Sequence, residues 1–185
     1  METATRVAVV VTFLRMEWPP LDPVPPLPEE MRLVRVTAPT VAFYRYLYNT
    51  VGAEYVWWLR RTMPDRELAD LLGNRAVSIH VMYEGGQPAG FFELDRRPWP
   101  DTNLSYFGLF PHAVGTGVGY AFLRAAIKEA WRDGTKGMTV NTCTADHPRA
   151  LPTYMRAGFR PTRQVQEIWS VPNRLGLRIP SNLRA

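Results

Sequence analysis

The stretch that decides the fold reads Leu109-Phe-Pro-His-Ala-Val-Gly-Thr-Gly-Val-Gly119. It lies between a strand pattern over 104–110 and the clearest helical pattern of the chain, over 118–131. Its three glycines occupy alternate positions, and glycine both adopts backbone conformations that other residues avoid and lets a ligand approach the main chain. Free N–H groups at a helix start, together with the helix dipole, attract anions. The stretch therefore predicts a phosphate or pyrophosphate site, with a simple tight turn as the alternative.

Two common phosphate-binding patterns do not fit this loop. The Walker A motif ends in Gly-Lys-Ser/Thr, and the loop contains no such triplet. The dinucleotide fingerprint requires G-x-G-x-x-G after an early strand, whereas the glycines here are spaced G-x-G-x-G in the second half of the chain. The loop alone thus leaves the identity of the phosphate ligand open.

The rest of the sequence predicts alternating strands and helices. Strands are expected over 8–16, 31–36, 77–83, 89–94, 104–110 and 138–142, around Phe159, and over 166–171. Helices are expected over 39–52, 53–62, 64–72, 118–131 and 148–156. Asp133-Gly134 should end the fourth of these helices, and Asp146 or His147 should cap the last one. This order favours an α/β sandwich on one sheet, with residues 1–185 forming a single domain.

The bulk composition is that of an ordinary globular chain with a basic surface. The 185 residues are 46% hydrophobic and 21% charged, which is enough for a buried core. The net charge is +5, and the arginines that dominate it are spread from Arg6 to Arg184, so no nucleic-acid partner is expected. They belong either to a solvated surface or to an anion site. Cys143 is the only cysteine, which excludes an internal disulfide and a Cys/His zinc cluster, and no metal is expected.

Two further segments bear on location and partners. No stretch approaches the ~20 apolar residues of a membrane span, and the apolar segment 7–14 lacks a small-residue cleavage site. The cytoplasm is therefore the expected location, with no membrane partner. The proline-rich segment 19–28 is typical of a rigid surface connection, and a proline-rich ligand for another protein is the alternative.

A second motif gives the loop a family resemblance. Leu109-x-Pro111 precedes the glycines, and Ala150-Leu-Pro-Thr-Tyr-Met-Arg-Ala-Gly-Phe159 follows them. The sequence over 75–165 resembles the GCN5-related N-acetyltransferase family. That family shows a strand ending in hydrophobic-x-Pro, then Gln/Arg-x-x-Gly-x-Gly/Ala at a helix start, and later Asn-x-x-Ala-x-x-x-Tyr-x-x-x-Gly-Phe. This chain has Val114 at the Gln/Arg position and His147 at the asparagine position.

The resemblance implies a fold, a donor and a donor site. The fold would be α/β (α+β), with a single mixed, mostly antiparallel sheet and helices on both faces. The donor would be acetyl-CoA, whose acetyl group passes to a primary amine by direct attack. The Leu109 N–H would bind the thioester carbonyl, and loop amides would hold the pyrophosphate. The residues predicted to bind the donor are Leu109, Val114, Gly115, Thr116, Gly117, Val118, Gly119, Tyr120 and His147.

Two side chains are predicted to handle protons. Tyr154 falls on the family's tyrosine, four residues before Gly158, and would donate to the departing thiolate, unless it is only a packed core aromatic. Glu93 is a charged residue in the apolar strand Phe91-Phe92-Glu93-Leu94 and is the predicted general base. Asp95 is the weaker candidate for the base. A solvent-facing Glu93 on an amphipathic strand is the alternative.

The acceptor site is expected in the aromatic and arginine-rich segment before the hairpin. Tyr46, Trp57 and Arg60 are the predicted acceptor-binding residues, suited to a cationic or a carboxylate-bearing small molecule. Some of these side chains would belong to the core under the alternative interpretation. A small amine, an amino acid and a peptide N-terminus all stay open as acceptors.

Other classes of function also stay open. A non-catalytic acyl-CoA-binding or sensor domain would share this fold, and the departures at Val114 and His147 keep this alternative open. An enzyme should place Glu93 and Tyr154 on one cavity. A protein-interaction module would use the proline-rich segment. A homodimer is common among similar proteins, and the sequence leaves the oligomeric state open.

Overall fold

The computed structural model describes residues 3–131 and 134–185. In this part of the chain one seven-stranded sheet has the order β2-β3-β4-β5-β6-β1-β7. The strands are β1 (Ala4–Met16), β2 (Met31–Val36), β3 (Val77–Glu84), β4 (Gln87–Asp95), β5 (Asp101–Leu109), β6 (Gly137–Cys143) and β7 (Arg160–Pro172). The α-helices are α1 (Val41–Gly52), α2 (Leu59–Thr62), α3 (Asp65–Leu72), α4 (Gly119–Ala130) and α5 (Ala150–Arg156).

The sheet is mixed and mostly antiparallel, as predicted, and helices cover both faces. Strands β5 and β6 pair in parallel, and the other neighbouring strands pair antiparallel. Successive side chains of a strand point to opposite faces. Phe91 of β4 accordingly packs with Tyr44 of α1 and Leu68 of α3, whereas Phe92 packs with Phe122 of α4. Two cores therefore enclose the centre of the sheet, one on each face.

The first strand of the chain lies beside the last one. β1 pairs with β6 on one side and with β7 along nearly its whole length on the other. The expectation of two short final strands was wrong, because β7 is continuous from Arg160 to Pro172. Pro161 does not interrupt it, since β7 is an edge strand, where a missing N–H is tolerated. A register shift between Phe13 and Leu14 accommodates the extra residue at this point.

The predicted helix over 53–62 is mostly a turn, and only Leu59–Thr62 is helical. Val56 has a φ of 57°, in the left-handed region that a β-branched residue rarely adopts. The Trp57 N–H donates to the Gly52 carbonyl at 3.2 Å, and a Cβ on Gly52 would lie 2.3 Å from the Trp57 Cβ. Packing of Trp57 against the end of α1 therefore overrides the local helical preference.

Helices α4 and α5 differ from the predicted helices at their ends. Helix α4 ends at Ala130, and Asp133 of the predicted stop lies outside the described residues. Helix α5 begins at Ala150, with Arg149 as its N-cap and no side-chain capping hydrogen bond. Neither Asp146 nor His147 is therefore the N-cap residue of α5, although His147 Nδ1 accepts a hydrogen bond from the Arg149 N–H at 3.1 Å in the turn before the helix.

The proline-rich segment lies against α4. The Asp22 carboxylate accepts a hydrogen bond from Arg124 Nη1 at 2.6 Å, and the Asp22 carbonyl accepts one from Nη2 at 2.9 Å. Arg124 is buried, so this contact satisfies a cation that would otherwise lie unpaired under the segment. No helix in the described ranges is long and apolar enough to cross a membrane.

Candidate active site

A gap opens in the sheet where β5 and β6 diverge. The two strands pair from Asp101 with Gly137 to Leu104 with Val140, and no pairing between them follows within the described residues. The cause is a β-bulge in β5 at Ser105, where the register with β4 shifts and the strand bends. A cavity of about 1000 Å³ lies at this gap.

The backbone of β5 beyond the bulge is directed into the gap. The Phe110 N–H donates to the Ala89 carbonyl at 2.8 Å, on the β4 side. Because backbone groups of successive strand residues point to opposite sides, the Leu109 N–H is directed away from β4. Leu109 lines the cavity. Its N–H is therefore placed to bind an acceptor atom of a molecule lying between the strands.

The glycine loop forms the wall next to this gap. Gly115 and Gly117 have φ values of 86° and 90°, and a Cβ on either would meet no described heavy atom within 4 Å. Helix α4 starts at Gly119, and its N-cap Val118 makes no side-chain capping hydrogen bond. The loop is thus an open cradle of main-chain groups at a helix N-terminus, which fits a diphosphate.

Most of the predicted donor residues line this cavity. Those that do are Leu109, Val114, Gly115, Gly117, Gly119, Tyr120 and His147. Thr116 and Val118 do not. The Thr116 hydroxyl donates to the Ala113 carbonyl at 2.9 Å, so its proton is not available to a phosphate, and Val118 is buried.

Tyr154 lies on the same cavity. Its ring packs edge-on against Phe107 and Phe159, with centroid distances of 6.3 and 5.9 Å. Within the described residues its hydroxyl has no hydrogen-bond partner. Burial raises the pKa of Tyr154, and the charge of Asp146 raises it further. The phenol therefore keeps its proton at neutral pH and can donate it.

Glu93, the predicted base, does not line the cavity. It is fully buried and accepts hydrogen bonds from the Tyr44 hydroxyl and from Arg60 Nη2, the latter at 2.9 Å. Burial lowers the pKa of Arg60, but the charge of Glu93 and the contributions of Tyr44 and Tyr106 together outweigh this effect, and the pKa lies above its ordinary value. The strand alternation points Glu93 into the core under α1, so Glu93 and Tyr154 do not share one cavity. Asp95 is also outside the lining and pairs with Arg97 Nη2 at 2.6 Å.

Two of the three predicted acceptor residues also lie outside the cavity lining. Arg60 is bound to Glu93, and Tyr46 is 49% exposed with its ring packed against Phe110 at 5.7 Å. Tyr46 occupies the other side of α1 from Tyr48, which does line the cavity. Trp57 lines it too, and its indole Nε1–H donates to Asp146 Oδ1 at 3.3 Å.

Asp146 is the cavity carboxylate that the sequence interpretation missed as a site residue. Its Oδ2 accepts hydrogen bonds from the Thr142 hydroxyl at 2.7 Å and from the Cys143 N–H at 2.9 Å. These bonds fix the carboxylate at the end of β6 instead of at the start of α5. Burial, followed by the charge of Asp146, raises the pKa of Cys143 to about 12. The signal in the sequence was an acidic residue three positions after the strand that borders the gap.

Two arginines on the cavity were also missed. Arg149 and Arg156 line it, at the N-cap and the last turn of α5. The Arg156 guanidinium lies 4.0 Å from the centre of the Tyr120 ring, next to the glycine loop. Both are exposed, and they give this side of the cavity a positive charge. Among the described residues, no group of three or more His, Cys, Asp or Glu side chains could hold a metal ion.

A comparison of the sequence with models of known protein families gives a match. The family model of the acetyltransferase (GNAT) family matches residues 44–159, more than half of the chain. The chain therefore belongs to the GNAT acetyltransferase family, and its fold and acyltransferase class follow from that membership. No curated protein sequence matches it significantly.

Solved structures share the fold at low sequence identity. A GCN5-related N-acetyltransferase from Kribbella flavida is 16% identical with a TM-score of 0.61, over 94% of this chain and 63% of that one. A GCN5-related N-acetyltransferase from Sphaerobacter thermophilus is 17% identical with a TM-score of 0.57, over 92% and 53%. A tandem GNAT protein from the clavulanic acid biosynthesis pathway is 16% identical with a TM-score of 0.64, over 91% and 55%. The chain thus spans less than two thirds of each of these proteins.

Proposed function

We propose that the protein is an N-acetyltransferase that moves an acetyl group from acetyl-CoA to a primary amine. One observation carries the proposal: the glycine cradle, the inward-directed Leu109 N–H and the Tyr154 hydroxyl all lie on a single cavity at the gap between β5 and β6. This is the set of groups that diphosphate binding, oxyanion stabilisation and proton donation require.

The donor half of the cavity supplies binding groups of matching chemistry. Main-chain amides over 115–119 would hold the diphosphate, since the Val114 N–H already donates to the Pro111 carbonyl at 3.3 Å. Arg156, whose guanidinium packs on the Tyr120 ring next to the loop, adds positive charge beside it. The pantetheine arm would lie in the gap and pair with exposed backbone groups of β5, as an added strand does. When bound, acetyl-CoA supplies an acyl group activated as a thioester. The Leu109 N–H would stabilise the negative charge that develops on the thioester carbonyl oxygen.

Asp146 replaces Glu93 as the proposed proton acceptor. It is a carboxylate on the cavity wall, whereas Glu93 is closed off by Arg60 and Tyr44. The amine nitrogen forms its bond to the acyl carbon, and the carbon–sulfur bond breaks. Before this attack Asp146 takes one proton from the bound ammonium, directly or through one water, and the second proton, which the nitrogen releases as the amide forms, replaces the one that Tyr154 loses. Tyr154 gives its proton to the departing sulfur.

The test is release of free thiol from acetyl-CoA in the presence of a panel of primary amines, with product mass to identify the acetylated nitrogen. We expect turnover that depends on both the protein and the amine. If calorimetry detects acetyl-CoA binding but no amine supports thiol release, the non-catalytic binding domain is the better account. The cytoplasmic location and the homodimer stay predictions.

A further inference from the structure

The part of the cavity across the gap from the glycine loop has aromatic walls. We call it the acceptor chamber, and its rings are Phe13, Tyr48, Tyr55, Trp57, Tyr106 and Trp169. Tyr48 and Trp57 pack with the core on the α1 face of the sheet, whereas Tyr154 and Tyr120 pack with the core on the α4 face. A molecule in the chamber would therefore approach the gap from the face opposite to α4.

Three of these rings hold one another in place. The centroids of Tyr48 and Trp57 are 5.2 Å apart, those of Tyr48 and Tyr106 are 4.9 Å apart, and those of Trp57 and Tyr106 are 5.0 Å apart. Such contacts fix the ring orientations before any ligand binds. The result is a rigid apolar surface suited to a flat or hydrocarbon body, and its faces attract a cation.

The ionised groups on the chamber wall are carboxylates. Asp146 accepts hydrogen bonds from the neutral donors of Thr142, Cys143 and Trp57, and Glu167 accepts one from the Trp169 indole at 2.7 Å. Neither carboxylate forms an ion pair within the described residues. Both carboxylates therefore lack a paired cation, and Arg149 and Arg156 are the arginines elsewhere on the cavity lining. The charge of Asp146, after burial, also raises the pKa of Tyr55, which places that charge close to the chamber rings.

The arginines of the segment that the sequence predicted for the acceptor site form hydrogen bonds with other groups of the protein. Arg60 binds Glu93. Arg61 donates to the backbone carbonyls of Trp57 and Asn49 at 2.9 and 3.0 Å. Both brace the turn between α1 and α2, and the Arg60 guanidinium also lies 5.2 Å from the centre of the Tyr106 ring. Of the cations nearby, Arg149 and Arg156 project from α5 and its N-cap, and the exposed Arg163 covers the Phe13 ring at 4.1 Å without lining the cavity.

We propose that the chamber selects an amine whose ammonium group is attached to an aromatic or other apolar body and which carries no carboxylate. The ammonium would bind Asp146, Glu167 would add negative charge to the same wall, and the body would pack on the fixed rings. An amino acid with the same side chain would place its carboxylate against two carboxylates that lack a paired cation, which disfavours binding. This inference rests on the proposed function, because it takes the chamber to be the acceptor site.

The experiment compares matched pairs of acceptors by calorimetry and by thiol release, both at saturating coenzyme A or acetyl-CoA. The pairs are phenethylamine with phenylalanine and tryptamine with tryptophan. Phenylalaninamide controls for size, because it retains the bulk of a carboxyl group without its charge. We expect each amine to bind at least ~100-fold more tightly than its amino acid, and the amide to recover part of the difference. Equal affinities within each pair, or no binding by any of these compounds, would overturn the inference.

A charge change in the chamber sharpens the test. Glu167→Lys replaces a carboxylate that lacks a paired cation with a cation, so the preference for phenethylamine over phenylalanine should shrink by roughly tenfold or more. Glu29→Lys makes the same charge change at an exposed turn outside the cavity and should leave the preference unchanged. An equal effect of both variants would contradict a role for the chamber. Selective binding without thiol release would instead leave the selectivity standing and count against the transferase function.

Discussion

The two halves of the cavity are built from different parts of the chain. The donor half consists largely of main-chain groups: the left-handed glycines of the loop, the start of α4 and the Leu109 N–H. The acceptor chamber consists of side chains, aromatic rings and two carboxylates, from strands and turns that are distant in sequence. A main-chain site leaves a local motif of glycines, because only certain residues permit its geometry. A side-chain site leaves no such local motif.

Gly117→Val should have the largest effect, because it disturbs only the main-chain half of the cavity. A β-branched residue at a φ of 90° costs about 1–2 kcal/mol, and its side chain fills the open cradle. We expect acetyl-CoA affinity to fall by roughly 100-fold or more, measured by calorimetry. Gly176→Val is the matched control, since Gly176 also has a positive φ and open space around it but lies outside the cavity. If the two variants bind acetyl-CoA equally well, the loop is not the diphosphate site.

Tyr154→Phe should lower kcat by about 100-fold and change the affinity for acetyl-CoA little, because the ring stays packed and only the acid is removed. Tyr46→Phe, which removes a hydroxyl outside the cavity, should leave kcat unchanged. Since burial raises the pKa of Tyr154, loss of this proton should not limit kcat below about pH 10, the ordinary tyrosine value. A Tyr154→Phe enzyme with unchanged kcat would show that another group protonates the thiolate.

Asp146→Asn should lower kcat/KM by roughly 10- to 100-fold at neutral pH, because the amine loses both its counter-charge and its proton acceptor. The amide can still accept from the Cys143 N–H, so the end of β6 should keep its shape. Asp70→Asn, on the exposed side of α3, is the control with the same change in charge. Steady-state kinetics with one amine would give kcat/KM for both variants. Equal values would show that Asp146 has no role in the mechanism.

Glu93→Gln should have the smallest effect on catalysis and a clear effect on stability. Removing the charge leaves the Arg60 guanidinium without its buried partner, which costs about 3 kcal/mol of unfolding free energy. Denaturant unfolding measures this cost, and Glu17→Gln, in an exposed pair with Arg15, should cost under about 1 kcal/mol. We expect kcat/KM of the folded variant to stay within about twofold of the wild type. A large loss of turnover at unchanged stability would restore Glu93 as the base.

The contrast between the halves also explains what could be predicted from the sequence. The sheet type, most element boundaries and the glycine loop follow from local periodicity and from two motifs whose spacing is visible in the chain. The position of β1 between β6 and β7 could not be predicted, because it depends on pairing between opposite ends of the chain. The turn at Val56 also could not, since packing of Trp57 on Gly52 determines it.

The choice of Glu93 as the base also depended on a contact between residues that are distant in sequence. In Phe91-Phe92-Glu93-Leu94, an acidic residue in an apolar strand indicates that the carboxylate is buried, but not which partner it meets. Arg60, 33 residues earlier, is that partner. Asp146 was identified only as a helix cap, because whether it contacts β6 or α5 depends on how the chain turns after Cys143.

The most direct measurement is a calorimetric comparison of coenzyme A with pantetheine, which lacks the diphosphate and the nucleotide. If main-chain amides over 115–119 hold the diphosphate, coenzyme A should bind saturably, one molecule to each chain, and pantetheine should bind at least ~100-fold more weakly. Equal affinity for the two compounds, or no binding of coenzyme A, would contradict the account.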